Sequence, residues 1–209
     1  MSILDRLATS QNRRDEVPNQ ELARDLAAGK DKKGIREIAE NLWNKDKNIQ
    51  ADCIKVLYEV GYIEPKLIGG YVDDFAKLLK SRNNRLVWGG MTALAEAAKA
   101  NPDAVFAHVD TIKKAKDTGS VITVDSAISA LAVTAAANRK YNEVIFPYLL
   151  KHLSSCRPKD VPQHSEKTLP AVIASNKDGF MKVLEKRTED LSGSGLARVK
   201  KVIKQASSL

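Results

Sequence analysis

The sequence predicts an all-α chain built from stacked helix pairs. Three observations carry that prediction. Apolar residues recur at helical spacing almost throughout, no run alternates with a period of two, and the apolar pattern repeats every 37 residues.

The stripes come in order. Ile35, Ile38, Ala39 and Leu42 form one, and Ile49, Cys53, Ile54, Leu57 and Val60 the next. Leu67 to Leu79 contributes a third through Val72, Phe75 and Leu78, and Leu86, Gly90, Met91, Leu94 and Ala97 a fourth. Val105, Val109 and Ile112 follow, then Ala127, Ile128 and Leu131, then Ile145, Leu149 and Leu153. The best strand candidate, Val121 to Val124, leads straight into a helical pattern. Pro65 and Pro102 stand where a first turn begins, because a missing amide donor costs little there. Asn48, Asn84 and Asn138 are expected to cap exposed amides. Gly61 and Gly119 are expected just past helix ends, in the left-handed conformation.

The repeat is read from homologous places. Leu57, Leu94 and Leu131 lie 37 residues apart, as do Cys53, Gly90 and Ala127, and Ile54, Met91 and Ile128. In the other helix Val72, Val109 and Phe146 keep the same offset, with Phe75, Ile112 and Leu149. Each pair leaves an apolar face that only the next pair covers, so the units stack. One domain over residues 1–209 is expected, with regular repeats over about 30–155 and irregular capping helices over about 158–209. Pro158, Pro162 and Pro170 suit a linker or a short helix, and helices are expected near 177–189 and 195–205.

Composition narrows the function. With 43 % hydrophobic and 29 % charged residues the 209-residue chain is an ordinary globular one, and its 5 % aromatic content favours helix-on-helix packing. Asp5 and Arg6 interrupt the first apolar run, so no secretory leader is expected. The uncharged stretch between Asp125 and Arg139 is shorter than the ~20 residues of a membrane span. Two cysteines make no disulfide framework, and a cytoplasmic protein without cofactor or membrane association is expected. The net charge of +8 admits nucleic acid or an acidic partner.

The stretch Pro65 to Ala100, PKLIGGYVDDFAKLLKSRNNRLVWGGMTALAEAAKA, resembles the HEAT-repeat family. There a proline opens the first helix, and an aliphatic, a small residue and a leucine recur in the second. Leu86, Gly90 and Leu94 match that pattern, as do Ile49, Cys53 and Leu57. The resemblance implies a right-handed α–α superhelix of about five helix pairs with irregular ends. The family's frequent turn Asp reads here Asp46, Asn83 and Ser120, and its Arg reads Gln50, Val87 and Val124, so an Asp–Arg ladder between repeats is not expected.

No catalytic set stands out. HEAT-like iron hydroxylases use His-Glu pairs, whereas His108, His152 and His164 precede Val, Leu and Ser. HEAT-like alkylpurine DNA glycosylases need an aromatic cleft and a carboxylate; Trp43, Trp88 and Asp125 are the nearest equivalents. His152 and Cys156 share a helical face, and with His164 they offer three metal ligands or a thiol–base pair. With no second cysteine or clustered carboxylate to complete a tetrahedral set, a structural role and no metal are expected.

Trp88 lies about 120° from the Leu94 stripe, at the edge of the core. It reads either as packing or as an aromatic anchor on the surface lined by the second helices, with Arg85 and Thr92 as polar neighbours. The leading expectation is a non-enzymatic scaffold that binds another protein along that surface. The alternative is a nucleic-acid-binding module using Arg198, Lys200, Lys201 and Lys204, which give Gly193 to Leu209 a charge of +4 with no acidic residue. Those cations also suit a helix C-terminus.

Overall fold

A computed structural model describes residues 2–209. The chain is 81 % helical and has no strand among the described residues. Its α-helices are α1 (Val17–Ala28), α2 (Lys32–Glu40), α3 (Lys47–Ile63), α4 (Val72–Leu78), α5 (Asn84–Ala97), α6 (Pro102–Ala107), α7 (Val109–Thr118), α8 (Val121–Ala137), α9 (Arg139–Ser155), α10 (Val161–Thr168), α11 (Lys177–Arg187) and α12 (Gly193–Ser207). No helix among the described residues is long and apolar enough to cross a membrane.

Two compact units divide the chain, residues 1–130 and 131–209, and the boundary falls inside α8. In the first unit α3 packs between α1 and α5, and α4 covers the far side of α5. The residues spaced by 37 are its core. Leu57 and Leu94 are fully buried, as are Ile54, Met91, Phe75 and Ile112. Cys53, Gly90 and Ala127, the small residues of the repeat, are buried too.

The turn position that the family fills with Asp has a local task here. The Asp46 carboxylate accepts from the Asn48 N–H at 2.8 Å, and the Asn83 amide oxygen from the Arg85 N–H at 3.0 Å. Ser120 accepts from the Thr123 N–H at 3.3 Å. These three residues, 37 apart, each satisfy an orphan amide at the start of a second helix. The caps are therefore Asp46 and Asn83 rather than Asn48 and Asn84, which lie inside the first turns. Asn138 does cap α9, accepting from the Tyr141 N–H at 3.0 Å, and Asn101 caps α6 in the same register.

The glycine expectation is corrected. Gly61 is buried inside α3, and Gly119 is extended at φ −84°, ψ 170°. A side chain at Gly61 would collide with Ile68 and Glu96, so close approach rather than a left-handed turn explains the residue. The first helices are also interrupted. Pro65 opens a single 3-10 turn, a second covers Gly69–Tyr71, and α4 starts only at Val72. Pro102 opens α6, which breaks at His108 before α7. Tyr71 and His108 occupy equivalent places with near-identical backbone, φ −108°, ψ 17° and φ −106°, ψ 12°.

The second unit comprises the end of α8 and α9–α12. α9 packs against α10 and α11, and α12 covers both of the latter. Phe146, Leu149, Leu153, Phe180, Leu184, Val199 and Val202 are buried there. Asn142 ties the unit together, donating to Ala171 O at 2.7 Å and accepting from Asn176 at 2.9 Å. The proline-rich segment folds into a 3-10 turn (Pro158–Asp160), then α10, then another 3-10 turn (Leu169–Ala171).

Candidate functional site

The second helices of the first unit carry an aromatic cluster. Tyr58 and Tyr62, one turn apart on α3, lie edge to face at 5.8 Å, and the Tyr58 ring is 6.0 Å from that of Trp88 on α5. Trp88 is half-buried and Tyr62 is 54 % exposed, so the cluster is rooted in packing but open at its edge. Trp88 is thus partly packed and partly exposed.

Charge surrounds the rings. Lys55 is buried at 7 % exposure and its Nζ lies 2.7 Å from both Glu16 and Glu59. The same Nζ sits 5.0 Å from the Tyr58 ring centroid, within cation–π range. Burial works against the ammonium charge, but the hydrogen bonds to Glu16 and Glu59 outweigh it and raise the Lys55 pKa. Burial pushes the Tyr58 phenol up to about 12, and raises that of Tyr62 with help from Glu96 and Glu59. Glu96 is nearly buried and pairs with Lys99.

The three residues singled out from sequence occupy one turn-by-turn row of α5. Arg85 is exposed, 3.6 Å from Glu16, and borders a groove of about 500 Å³ lined also by Arg13, Arg14, Asp15 and Asn48. Thr92 is buried, and its hydroxyl is used internally: it donates to Trp88 O at 2.9 Å and lies 3.0 Å from Ser126 Oγ on α8. Thr92 thereby fixes the backbone that presents Trp88. Tyr58, Tyr62, Lys55, Glu16 and Glu59 are not among the residues that sequence pattern singles out. The signal for the tyrosines was available in their four-residue spacing, but the partner Glu16 lies 39 positions from Lys55, beyond any local pattern.

A second constellation lies in the second unit. His152 and Cys156, at the end of α9, meet His164 of α10, and their ligating atoms all lie within 4.8 Å of one another. His152 Nε2 is 2.9 Å from His164 Nδ1. From sequence these three are expected to be structural; the fold brings their donor atoms together. Burial raises the Cys156 thiol, against which the Arg187 guanidinium acts. Arg187, itself nearly buried, donates to Leu153 O and Cys156 O at 2.7 Å each and to Asp190 at 2.7 Å. It therefore satisfies carbonyls that the end of α9 leaves open.

On α12, Val199, Val202 and Ala206 face inward, while Lys200, Lys201 and Lys204 are exposed. Arg198 is held by a two-point bond to Glu166 at 2.8 and 2.6 Å. That pairing lowers the Glu166 pKa.

No protein-family model and no curated protein matches the chain. Solved structures do match, among them engineered proteins and designed armadillo repeat proteins. An engineered protein is 20 % identical with a TM-score of 0.69, the alignment covering 98 % of this chain and 95 % of that one. A designed armadillo repeat protein in complex with the peptide (KR)4 is 14 % identical with a TM-score of 0.70, over 90 % and 85 % of the two chains. A computationally designed armadillo repeat protein for modular peptide recognition is 15 % identical with a TM-score of 0.66, over 98 % of both. The chain therefore has the armadillo/HEAT-like helical-repeat fold.

Proposed function

We propose that the chain is a non-enzymatic scaffold that binds an extended segment of a partner protein along α3 and α5. The observation that carries this reading is the Tyr58–Trp88–Tyr62 cluster, open at Tyr62 and flanked by Arg85 and the paired carboxylates Glu16, Glu59 and Glu96. Large, stiff aromatic side chains give contact area at little entropic cost, which is why binding hot spots favour Trp and Tyr. The polar groups beside them can bond the backbone of an extended chain. Two structural neighbours are designed armadillo proteins associated with peptides, which supports a peptide as the ligand class.

The experiment is selection from a random-peptide display library on wild-type protein, followed by affinity measurement on variants. Trp88→Ala with Arg85→Ala should weaken the selected peptides at least about 30-fold, the loss of a hot spot. The melting temperature should fall, because the half-buried Trp88 ring packs on Tyr58. Affinities are therefore compared well below the variant's transition, and Arg85→Ala alone, at an exposed site, serves as the stable control. Unchanged affinity in the double variant, or no selectable peptide, counts against the surface.

The competing reading is a nucleic-acid module using the exposed Lys200, Lys201 and Lys204. Arg198 enters it already engaged by Glu166. Phosphate contacts release counterions, so such binding must fall steeply as salt rises. Negligible affinity for single- or double-stranded nucleic acid at low salt ends that reading.

A further inference from the structure

We propose that His152, Cys156 and His164 bind one zinc-class divalent ion, with three protein ligands and a fourth position open to solvent. The argument is geometric. Tetrahedral zinc holds imidazole nitrogens at 2.0–2.1 Å and thiolate sulfur near 2.3 Å, which puts N···N about 3.3 Å and N···S about 3.6 Å apart. The three donor atoms already lie within 4.8 Å of one another, and the two imidazole nitrogens are 2.9 Å apart. Opening the His–His hydrogen bond by a few tenths of an ångström, and drawing the sulfur in by at most about 1.2 Å, completes the set.

The supports for the ligands are rigid. His152 and Cys156 stand four apart where α9 ends, and the Cys156 N–H still bonds His152 O at 2.8 Å. The Arg187 guanidinium clamps Leu153 O and Cys156 O, which fixes the backbone that carries the sulfur. Its charge beside the sulfur also favours the thiolate that a metal requires, and Asp190 on the same guanidinium offsets its repulsion of a cation. From α10, His164 is buried, and the Thr168 hydroxyl donates to its backbone carbonyl at 2.8 Å, a bond of the helix that carries it. His152 and Cys156 are only half-buried, which leaves the ion an entry path and a water.

The donor set selects the ion. Two imidazoles and a thiolate are borderline-soft ligands that suit zinc, whereas calcium and magnesium require oxygen. On binding, the Cys156 thiol gives its proton to solvent. The imidazole proton shared between the rings moves to a ring nitrogen facing away from the ion. Bound zinc then joins α9 to α10 across the turn at 157–160.

The test uses the full chain and two probes, Co²⁺ and Zn²⁺. One equivalent of Co²⁺ should give a thiolate-to-metal charge-transfer band in the near ultraviolet with visible bands of tetrahedral cobalt, and one equivalent of Zn²⁺ should abolish both. Cys156→Ser should remove the charge-transfer band and weaken zinc at least about 10-fold in a chelator competition. Cys53→Ser should leave both readouts as in the wild type. No thiolate band in the wild type, binding of Zn²⁺ with other than 1:1 stoichiometry, or a Cys156→Ser variant that binds as tightly as wild type overturns the assignment. The wild-type spectrum decides even where a variant folds poorly.

Discussion

Cys53 shows how one residue's chemistry follows from its place in the repeat. It shares its position with Gly90 and Ala127, where α3, α5 and α8 accept only small side chains. Complete burial pushes its thiol from 9.0 up to about 12, with the charge of Asp52 adding to the effect. The unfolded chain then loses this proton near pH 9 while the folded chain keeps it. Stability from this group is fully present below pH 9 and falls as pH rises from 9 toward 12. Denaturant unfolding measured from pH 8 upward should show that decline, and Cys53→Ala should make it shallower. Tyr58, also raised to about 12 by burial, keeps part of the slope in the variant. A wild-type and variant decline of equal steepness contradicts the account of Cys53. Trp88 teaches the complementary lesson. Sequence position alone left it between packing and exposure, because the ring that decides the matter, Tyr58, belongs to the preceding helix pair.

Elements were legible to different degrees, for physical reasons. Buried stripes were read from spacing, since 3.6-residue periodicity is a direct consequence of one face meeting a core. Helix starts were misplaced by one or two residues at Asp46 and Asn83, because an adjacent Asn is as good a cap by composition. The breaks at Tyr71 and His108 left no mark, since both residues lie within continuous apolar patterns. The stripe Ile145, Leu149 and Leu153 was legible even though it runs past Pro147, which lies inside α9 without ending it, with Ile145, Phe146 and Leu149 buried around it. Pro147 itself is exposed. The sequence offers His152, Cys156 and His164 but no fourth protein ligand, and the closeness of His164 to the other two depends on the folding of α10.

Close approach of helices gives the element-scale prediction. A Cβ on Gly90 would stand 3.0 Å from Phe75 O and from Leu78 Cβ, so α4 must retreat. Gly90→Ala should destabilise by about 1–3 kcal/mol despite its better helix propensity. Gly70 has no heavy atom within 4 Å of such a Cβ and no positive φ. Gly70→Ala should be neutral or stabilising by up to about 1 kcal/mol. Chemical denaturation of the pair checks both; equal effects would deny the close contact of α5 with α4.

At the scale of the whole molecule, the same 37-residue grammar serves both compact units. Leu57, Leu94 and their second-unit counterpart Leu131 are buried alike, as are Phe75, Ile112 and Leu149. The backbone stays helical across the boundary between Ala130 and Leu131. Repeats of this kind gain stability from covering one another, so protection should follow the period rather than the distance from a chain end. Native-state amide hydrogen exchange tests this most directly. Slowest exchange is predicted in the buried turns around Leu57, Leu94 and Leu131, and faster exchange in the 3-10 turns at Pro65–Leu67 and Gly69–Tyr71. Exchange in the middle of α5 as fast as in those turns, with no recurrence every 37 residues, would contradict the account.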